Sequence, residues 1–188
     1  MDGIPTFDKA LREAEEMLSR SLNGVFEITV HRDLDEKTIE TVRSIDNEKF
    51  REELHYSHDE LTERAKVKGF FCVIAHLDGK PIGFDFGYQD HHDNVFFSDD
   101  TATLIEGKRV GTVLFALEII HSFYEGYAET KLSTEEFDDV GRPLVQIWGR
   151  MGFEVSSKEP DGNVEMILEL CESNVRRIYE KYIKTKKD

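Results

Sequence analysis

The sequence predicts an α/β (α+β) fold: a mixed, mostly antiparallel central sheet of about seven strands, with helices on both faces and a further helix at each end. Three observations predict it. Seven short apolar or alternating stretches are interleaved with stretches of helical periodicity. Tight turns join consecutive strands in the middle of the chain, which is the mark of antiparallel hairpins. The 188 residues include 13 Phe and are 39% hydrophobic, enough for one core, so a single domain over 1–188 is expected and disorder is not.

The elements follow in order. Residues 1–22 read as a helix, with Pro5 near its first turn and Leu11, Ala14, Met17 and Leu18 on one face; Asn23-Gly24 ends it. Val25 to Val30 alternates and reads as a strand. Residues 33–54 are predicted helical through Leu34, Ile39, Val42, Ile45 and Phe50, and a second helix over about 58–67 begins at Ser57 as its cap. Three strands come in quick succession: Phe70–Leu77, Pro81–Tyr88 after the hairpin signal Asp78-Gly79, and Val95–Leu104 after the polar turn 89–94. The loop Gly107 to Gly111 precedes a strongly apolar helix carrying Val110, Val113, Leu114, Leu117, Ile120 and Tyr124. A strand near 128–134, a helix over about 140–151 stopped by Gly152, and strands at Phe153–Ser157 and Val164–Leu170 complete the sheet. A last helix starts near Glu172, with Val175, Ile178 and Tyr182 on one stripe. Hairpins precede the crossover helix, and no G-x-G-x-x-G is present, so a dinucleotide fold is not expected.

Composition excludes several classes. The 24 Lys and Arg against 39 Asp and Glu leave a formal charge of −15, which argues against a nucleic-acid partner. The longest apolar run, Phe70 to Ala75, is too short for a membrane span, so no membrane partner is expected. No basic segment followed by an apolar one opens the chain, so no signal peptide is expected. Two cysteines, Cys72 and Cys171, form neither a disulfide framework nor a zinc site, and a reducing cytoplasm is the expected location. Residues 176–188 hold six of the basic residues and two of the acidic ones, which leaves a more acidic body ahead of them. Such a body suits a cationic substrate, although charge of this size also serves solubility alone. The basic tail reads as a solvated helix end, where cations complement the macrodipole.

The most informative stretch is Glu106-Gly107-Lys108-Arg109-Val110-Gly111-Thr112, between a strand and an apolar helix. A loop here can present successive backbone N–H groups at a helix N-terminus, a geometry that binds phosphate oxygens. Lys108 and Arg109 would add positive charge, and glycine lets the backbone approach an anion. Together with the run Gly149-Arg150-Met151-Gly152-Phe153, this loop resembles the GCN5-related N-acetyltransferase (GNAT) superfamily. That family's acyl-CoA loop reads Arg/Gln-x-x-Gly-x-Gly/Ala, and its later signature is Asn-x-x-Ala-x-x-x-Tyr-x-x-x-Gly-Phe. The order β α α β β β α β α β β over 25–170 matches the family, with 1–22 and 171–188 as additions. Two registers fit the loop. In one, Glu106 stands at the Arg/Gln position; in the other, Lys108 does. Gly152-Phe153 is kept, whereas Gly141, Leu144 and Trp148 stand at the Asn, Ala and Tyr positions.

The resemblance implies an acetyl-CoA-dependent N-acetyltransferase acting by direct attack in a ternary complex. Its acceptor would be a small-molecule or peptide amine, polyamine-like or on a protein. The cofactor would lie along Thr101, Ala102 and Thr103, whose backbone the resemblance pairs with pantetheine, and on Gly107, Lys108, Arg109, Val110, Gly111 and Thr112. A general base must take the ammonium proton, and Asp99 and Asp100 are the candidates. Adjacent strand residues face opposite sides, so only one of the two is expected in a given cleft. His91 and His92 read as exposed turn residues, no metal is assigned, and Cys72 reads as a buried strand residue. Trp148 reads as a core aromatic, and its indole cannot supply the proton that the family's Tyr gives the leaving thiolate; Tyr124 and Tyr127 lie nearby in the chain. The alternative is a GNAT-like module that binds acyl-CoA with weak or no turnover. The terminal helices could instead serve a partner or a homodimer.

Overall fold

The computed structural model describes residues 3–138 and 140–184. The chain order is α1 (Phe7–Leu22), β1 (Phe26–His31), α2 (Glu36–Lys49), a short 3₁₀ turn (Glu52–Leu54), α3 (His58–Ala65), β2 (Phe71–Leu77), β3 (Lys80–Gln89), β4 (Val95–Thr103), α4 (Val110–Tyr124), β5 (Glu129–Glu135), α5 (Leu144–Met151), β6 (Glu154–Lys158), β7 (Asn163–Glu169) and α6 (Glu172–Tyr182). All seven strands form one sheet in the order β1-β2-β3-β4-β5-β7-β6. Every neighbouring pair is antiparallel except β4 and β5, which α4 joins as a parallel pair.

Local chemistry sets the ends of these elements. Thr6 caps α1 through Lys9 N, and Asn23 ends it with a left-handed φ of 53°. Asp78 and Gly79 both take positive φ, 50° and 76°, as the two-residue hairpin requires. Ser57 and Glu60 form a reciprocal capping box on α3. Two helices are shorter than their periodicity suggests. Asp35 accepts from Thr38 N at 2.8 Å, so α2 begins at Glu36; Phe50 turns extended and leaves only a 3₁₀ turn beyond. The helix expected from 140 begins at Leu144, because Gly141 has φ of 80°, Arg142 N is held by Asp138, and Pro143 disfavours helix in the residue before it.

The apolar side chains divide into two cores. One joins α1, α4, α5 and α6 to one face of the sheet; the other lies under α2 and α3 on the opposite face. Phe71, Phe84, Phe86, Phe96 and Phe115 are among the largest side chains removed from water. Burying one such ring contributes about 1.5–3 kcal/mol. The central helix α4 is buried on nearly all sides from Val110 to Ser122, which is why its apolar residues are not confined to one stripe. Among the described residues no helix is long and apolar enough to cross a membrane. Lys186 and Lys187 of the basic tail lie outside the described residues.

Candidate active site

The parallel pair β4 and β5 comes apart part-way along. Pairing runs from Val95–Glu129 to Ser98–Leu132 and stops, although β4 continues to Thr103 and β5 to Glu135. The gap opens at the carboxyl ends of two parallel strands, where open α/β sheets bind ligands. A cavity of about 240 Å³ occupies it, walled by Asp99, Asp100 and Thr101 on one side, Ser133 and Thr134 on the other, and Trp148 at one end.

A β-bulge shapes the near wall. Phe86 pairs with Asp100 and Gly87 with Ser98, so Asp99 is the extra residue. The bulge overturns the expectation that Asp99 and Asp100 face opposite ways: both line the same cavity, and both raise the phenol of Tyr56, from the segment between α2 and α3. Thr101 then returns to the α4 side, where its hydroxyl donates to Asp85.

The two carboxylates differ. Asp99 accepts from Tyr88 Oη at 2.7 Å and Tyr56 Oη at 3.1 Å, and pairs with Arg64 Nε at 2.9 Å. It thus holds two phenol donors and a guanidinium. Burial and Asp99 together hold both phenols protonated. Asp100 is raised well above the usual carboxylate range, chiefly by burial and then by Asp46 and Asp99.

The glycine loop stands beside the far end of β4, where a Cβ on Gly111 would lie 3.5 Å from Thr103 Cγ2 and 3.7 Å from Thr101 Cγ2. Gly107 has φ of 70°, and Arg109, the residue capping α4, has φ of 66°. No side chain caps α4, and the first intrahelical bond in this loop runs from Val113 N to Arg109 O, so the amides of Val110, Gly111 and Thr112 are without helical partners. These are the donors an anion would need. Thr112 also lines a second cavity of about 220 Å³ with Trp148, Arg150 and Tyr182. The chain's own residues therefore suit a phosphate-bearing cofactor at this corner.

The remaining expected residues fall as follows. Leu104 N bonds Ile82 O, and antiparallel alternation then turns the backbone edges of Thr101 and Thr103 toward the gap and that of Ala102 toward β3. Ala102 buries its methyl in the α2–α3 core. Lys108 is exposed. The Arg109 guanidinium leaves the loop and donates to the carbonyls of Lys181 at 2.8 Å and Tyr182 at 3.4 Å. Glu106, at the Arg/Gln position in one register, pairs with Lys49.

Trp148 packs on Phe115 with ring centroids 4.8 Å apart, and it also walls both cavities, so it is more than a core aromatic. Tyr124 bonds Ile4 O and Tyr127 packs on Phe96; neither lines the gap. His91 and His92 are exposed, and Cys72 is fully buried, which raises its thiol. Among the described residues no group of three or more His, Cys, Asp or Glu side chains is placed to hold a metal ion. Sequence reasoning missed Tyr56, Arg64 and Tyr88, the partners of Asp99. A third cavity of about 650 Å³, lined by Arg64, Tyr88, Asp90, Lys131, Glu165 and Ser133 among others, shares Ser133 with the first.

The seven-stranded mixed sheet has the fold of solved N-acetyltransferases, one of them assigned to the GNAT family, which superpose on this chain. The PaiA N-acetyltransferase of Thermoplasma acidophilum, solved with coenzyme A, aligns at TM-score 0.62 and 16% identity, over 76% of this chain and 99% of that one. An aminoglycoside 6′-N-acetyltransferase complexed with coenzyme A aligns at 0.64 and 12%, over 77% and 97%. The ribosomal-protein-S18-alanine N-acetyltransferase of Escherichia coli aligns at 0.61 and 13%, over 76% and 94%. No family model matches the sequence, and no curated protein matches it.

Proposed function

We propose that this chain is an acetyl-CoA-dependent N-acetyltransferase that acylates an amine directly. The observation that carries the reading is the splay of β4 from β5 with Asp99 and Asp100 brought together on its wall by the bulge. The amides of Val110, Gly111 and Thr112 hold the cofactor's diphosphate, and the thioester supplies the activated acetyl group. The backbone edges of Thr101 and Thr103 line the pantetheine arm. The acceptor enters through the 650 Å³ cavity and reaches the gap past Ser133.

Asp100 carries the proton traffic. Burial raises its proton affinity, which suits a base that must compete for an ammonium proton. It takes that proton, and the neutral amine attacks the thioester carbonyl. A carbon–nitrogen bond forms as the carbon–sulfur bond breaks, Asp100 returns its proton to the departing thiolate, a task for which Trp148 has no suitable group, and the second proton on the acylated nitrogen leaves to solvent. Asp99, held by Arg64, Tyr56 and Tyr88, orients the incoming cation.

The structural neighbours' names support an amine acceptor, an aminoglycoside in one and a protein alanine in another. The test is thermal stabilisation by acetyl-CoA followed by thiol release on adding a panel of polyamines, aminoglycosides and peptide amines. Stabilisation with thiol release is expected. Absence of any stabilisation overturns the reading. Trp148 at the Tyr position favours a second reading, acyl-CoA binding without turnover, whose signature is stabilisation with no thiol release from any amine.

A further inference from the structure

Behind the bulge, on the α4 side of β4, lie two carboxyls that the proposed chemistry does not use. Asp85 of β3 and Glu118 of α4 are both 0% exposed and stand against one another. Among the described residues neither has a lysine or arginine partner. Thr101 Oγ1 donates to Asp85 Oδ1, and Ser98 stands beside Glu118. Among the described residues, Asp85 Oδ2 and both Glu118 oxygens are buried without a donor. The remaining ionisable neighbours are Cys72 from β2 and Asp99 and Asp100 from β4, none of them a cation at neutral pH.

Two carboxylates in an apolar interior with no cation cannot both stay ionised. One proton held between them supplies the missing donor. Gly87 leaves the space that the arrangement needs: a Cβ there would lie 2.7 Å from Glu118 Oε1 and 2.4 Å from Phe97 O. Gly87 is also the residue that pairs with Ser98 where the register shifts.

Ser98 and Thr101 immediately flank Asp99 and Asp100. We propose that Asp85 and Glu118 form a clamp with one shared proton that holds Thr101 and stands behind Ser98, and so fixes the bulge presenting Asp99 and Asp100 to the gap. Both are positioning residues. Their effect on turnover rests on the proposed transferase function; the shared proton does not.

The experiment compares Glu118→Leu, Glu118→Gln and the double variant Asp85→Asn with Glu118→Gln. Misplacing a reacting group by about 1 Å costs about 10²-fold in rate. Glu118→Leu is expected to lose turnover on that scale with the KM for acetyl-CoA unchanged. Glu118→Gln, which keeps a donor toward Asp85, restores most of it and abolishes one inflection in the dependence of kcat on pH. Folded Glu118→Leu with wild-type kcat overturns the clamp, as does loss of kcat and cofactor affinity together. Infrared spectroscopy provides an arm independent of turnover. Wild type at neutral pH should show a protonated-carboxyl band that the double variant lacks. A missing difference band overturns the shared proton, whereas a band in a protein that releases no thiol separates failure of the function from failure of the clamp.

Discussion

Arg109 of the glycine loop donates a hydrogen bond to the Lys181 carbonyl, 2.8 Å away at the end of α6. The tie is one of several. Lys181 Nζ reaches Arg150 O at 3.1 Å, and the Tyr182 ring lies under the Arg109 guanidinium at 5.8 Å. The closing helix is thereby fastened to both sides of the corner where α4 begins.

Arg109→Ala should loosen this fastening. A lost hydrogen bond of about 1 kcal/mol lowers the thermal midpoint by about 2–4 °C in a chain of this size. Arg109→Gly should lose less, because glycine takes the left-handed φ of 66° without steric cost. Thermal scans of the two variants check the order; an Ala variant more stable than the Gly variant contradicts it.

Gly111→Asp separates folding from cofactor binding. A Cβ at this position meets Thr103 Cγ2 at 3.5 Å and Thr101 Cγ2 at 3.7 Å, which is ordinary contact. A carboxylate in the first turn of α4 also complements the helix dipole. Thermal stability should therefore hold while stabilisation by acetyl-CoA disappears, since the new charge opposes a diphosphate. Isothermal titration reads the loss; an affinity kept within about twofold, under 0.5 kcal/mol, tells against the site.

Asp100→Asn should lower kcat by about 10²–10⁴-fold and leave acetyl-CoA binding intact. Asp99→Asn should act mainly on the acceptor, because its carboxylate is committed to Arg64 and two tyrosines. Combining both should leave cofactor binding as the surviving property, and full activity of the double variant would remove both from the mechanism. The wild-type rate should rise with pH as Asp100 ionises, along a limb lying above the ordinary carboxylate range because burial raises that group.

His121 should make the fold acid-sensitive. It is 2% exposed, stacks on Phe71 at 3.9 Å and faces Arg32 Nη1 at 3.0 Å, an arrangement that requires a neutral ring. Burial, and then Arg32, push its pKa down to about 3 from 6.5. The unfolded chain therefore binds the proton first. The ring's contribution is fully present above 6.5 and is lost as pH falls toward 3. Urea unfolding at several pH values should show a shallower acid slope in His121→Gln than in wild type; identical slopes would contradict the assignment.

Much of the architecture is legible in local sequence because local forces make it. Asn23-Gly24, Asp78-Gly79 and Gly152 mark turns and stops that backbone sterics impose without help from the rest of the chain. Alternation and helical spacing place each element, and the order of elements carries the likeness to the acetyltransferase fold. The glycine loop is also visible, since an uncapped helix start after Gly107 depends on neighbouring residues alone.

Pairing is a different matter. Where β4 leaves β5 and where β3 slips past β4 depend on partners more than ten residues away, so no local pattern announces that Asp99 and Asp100 share a face. The slip lets Tyr56, Arg64 and Tyr88, from three separate segments, close on Asp99. It also sets Asp85 against Glu118 across a space that only the missing side chain of Gly87 leaves open. Sequence by itself determined which elements form and where unpartnered helix-start amides stand. Tertiary packing alone decided which carboxylates find donors, which are raised by burial and which meet, because those properties arise from desolvation and register among residues distant along the chain.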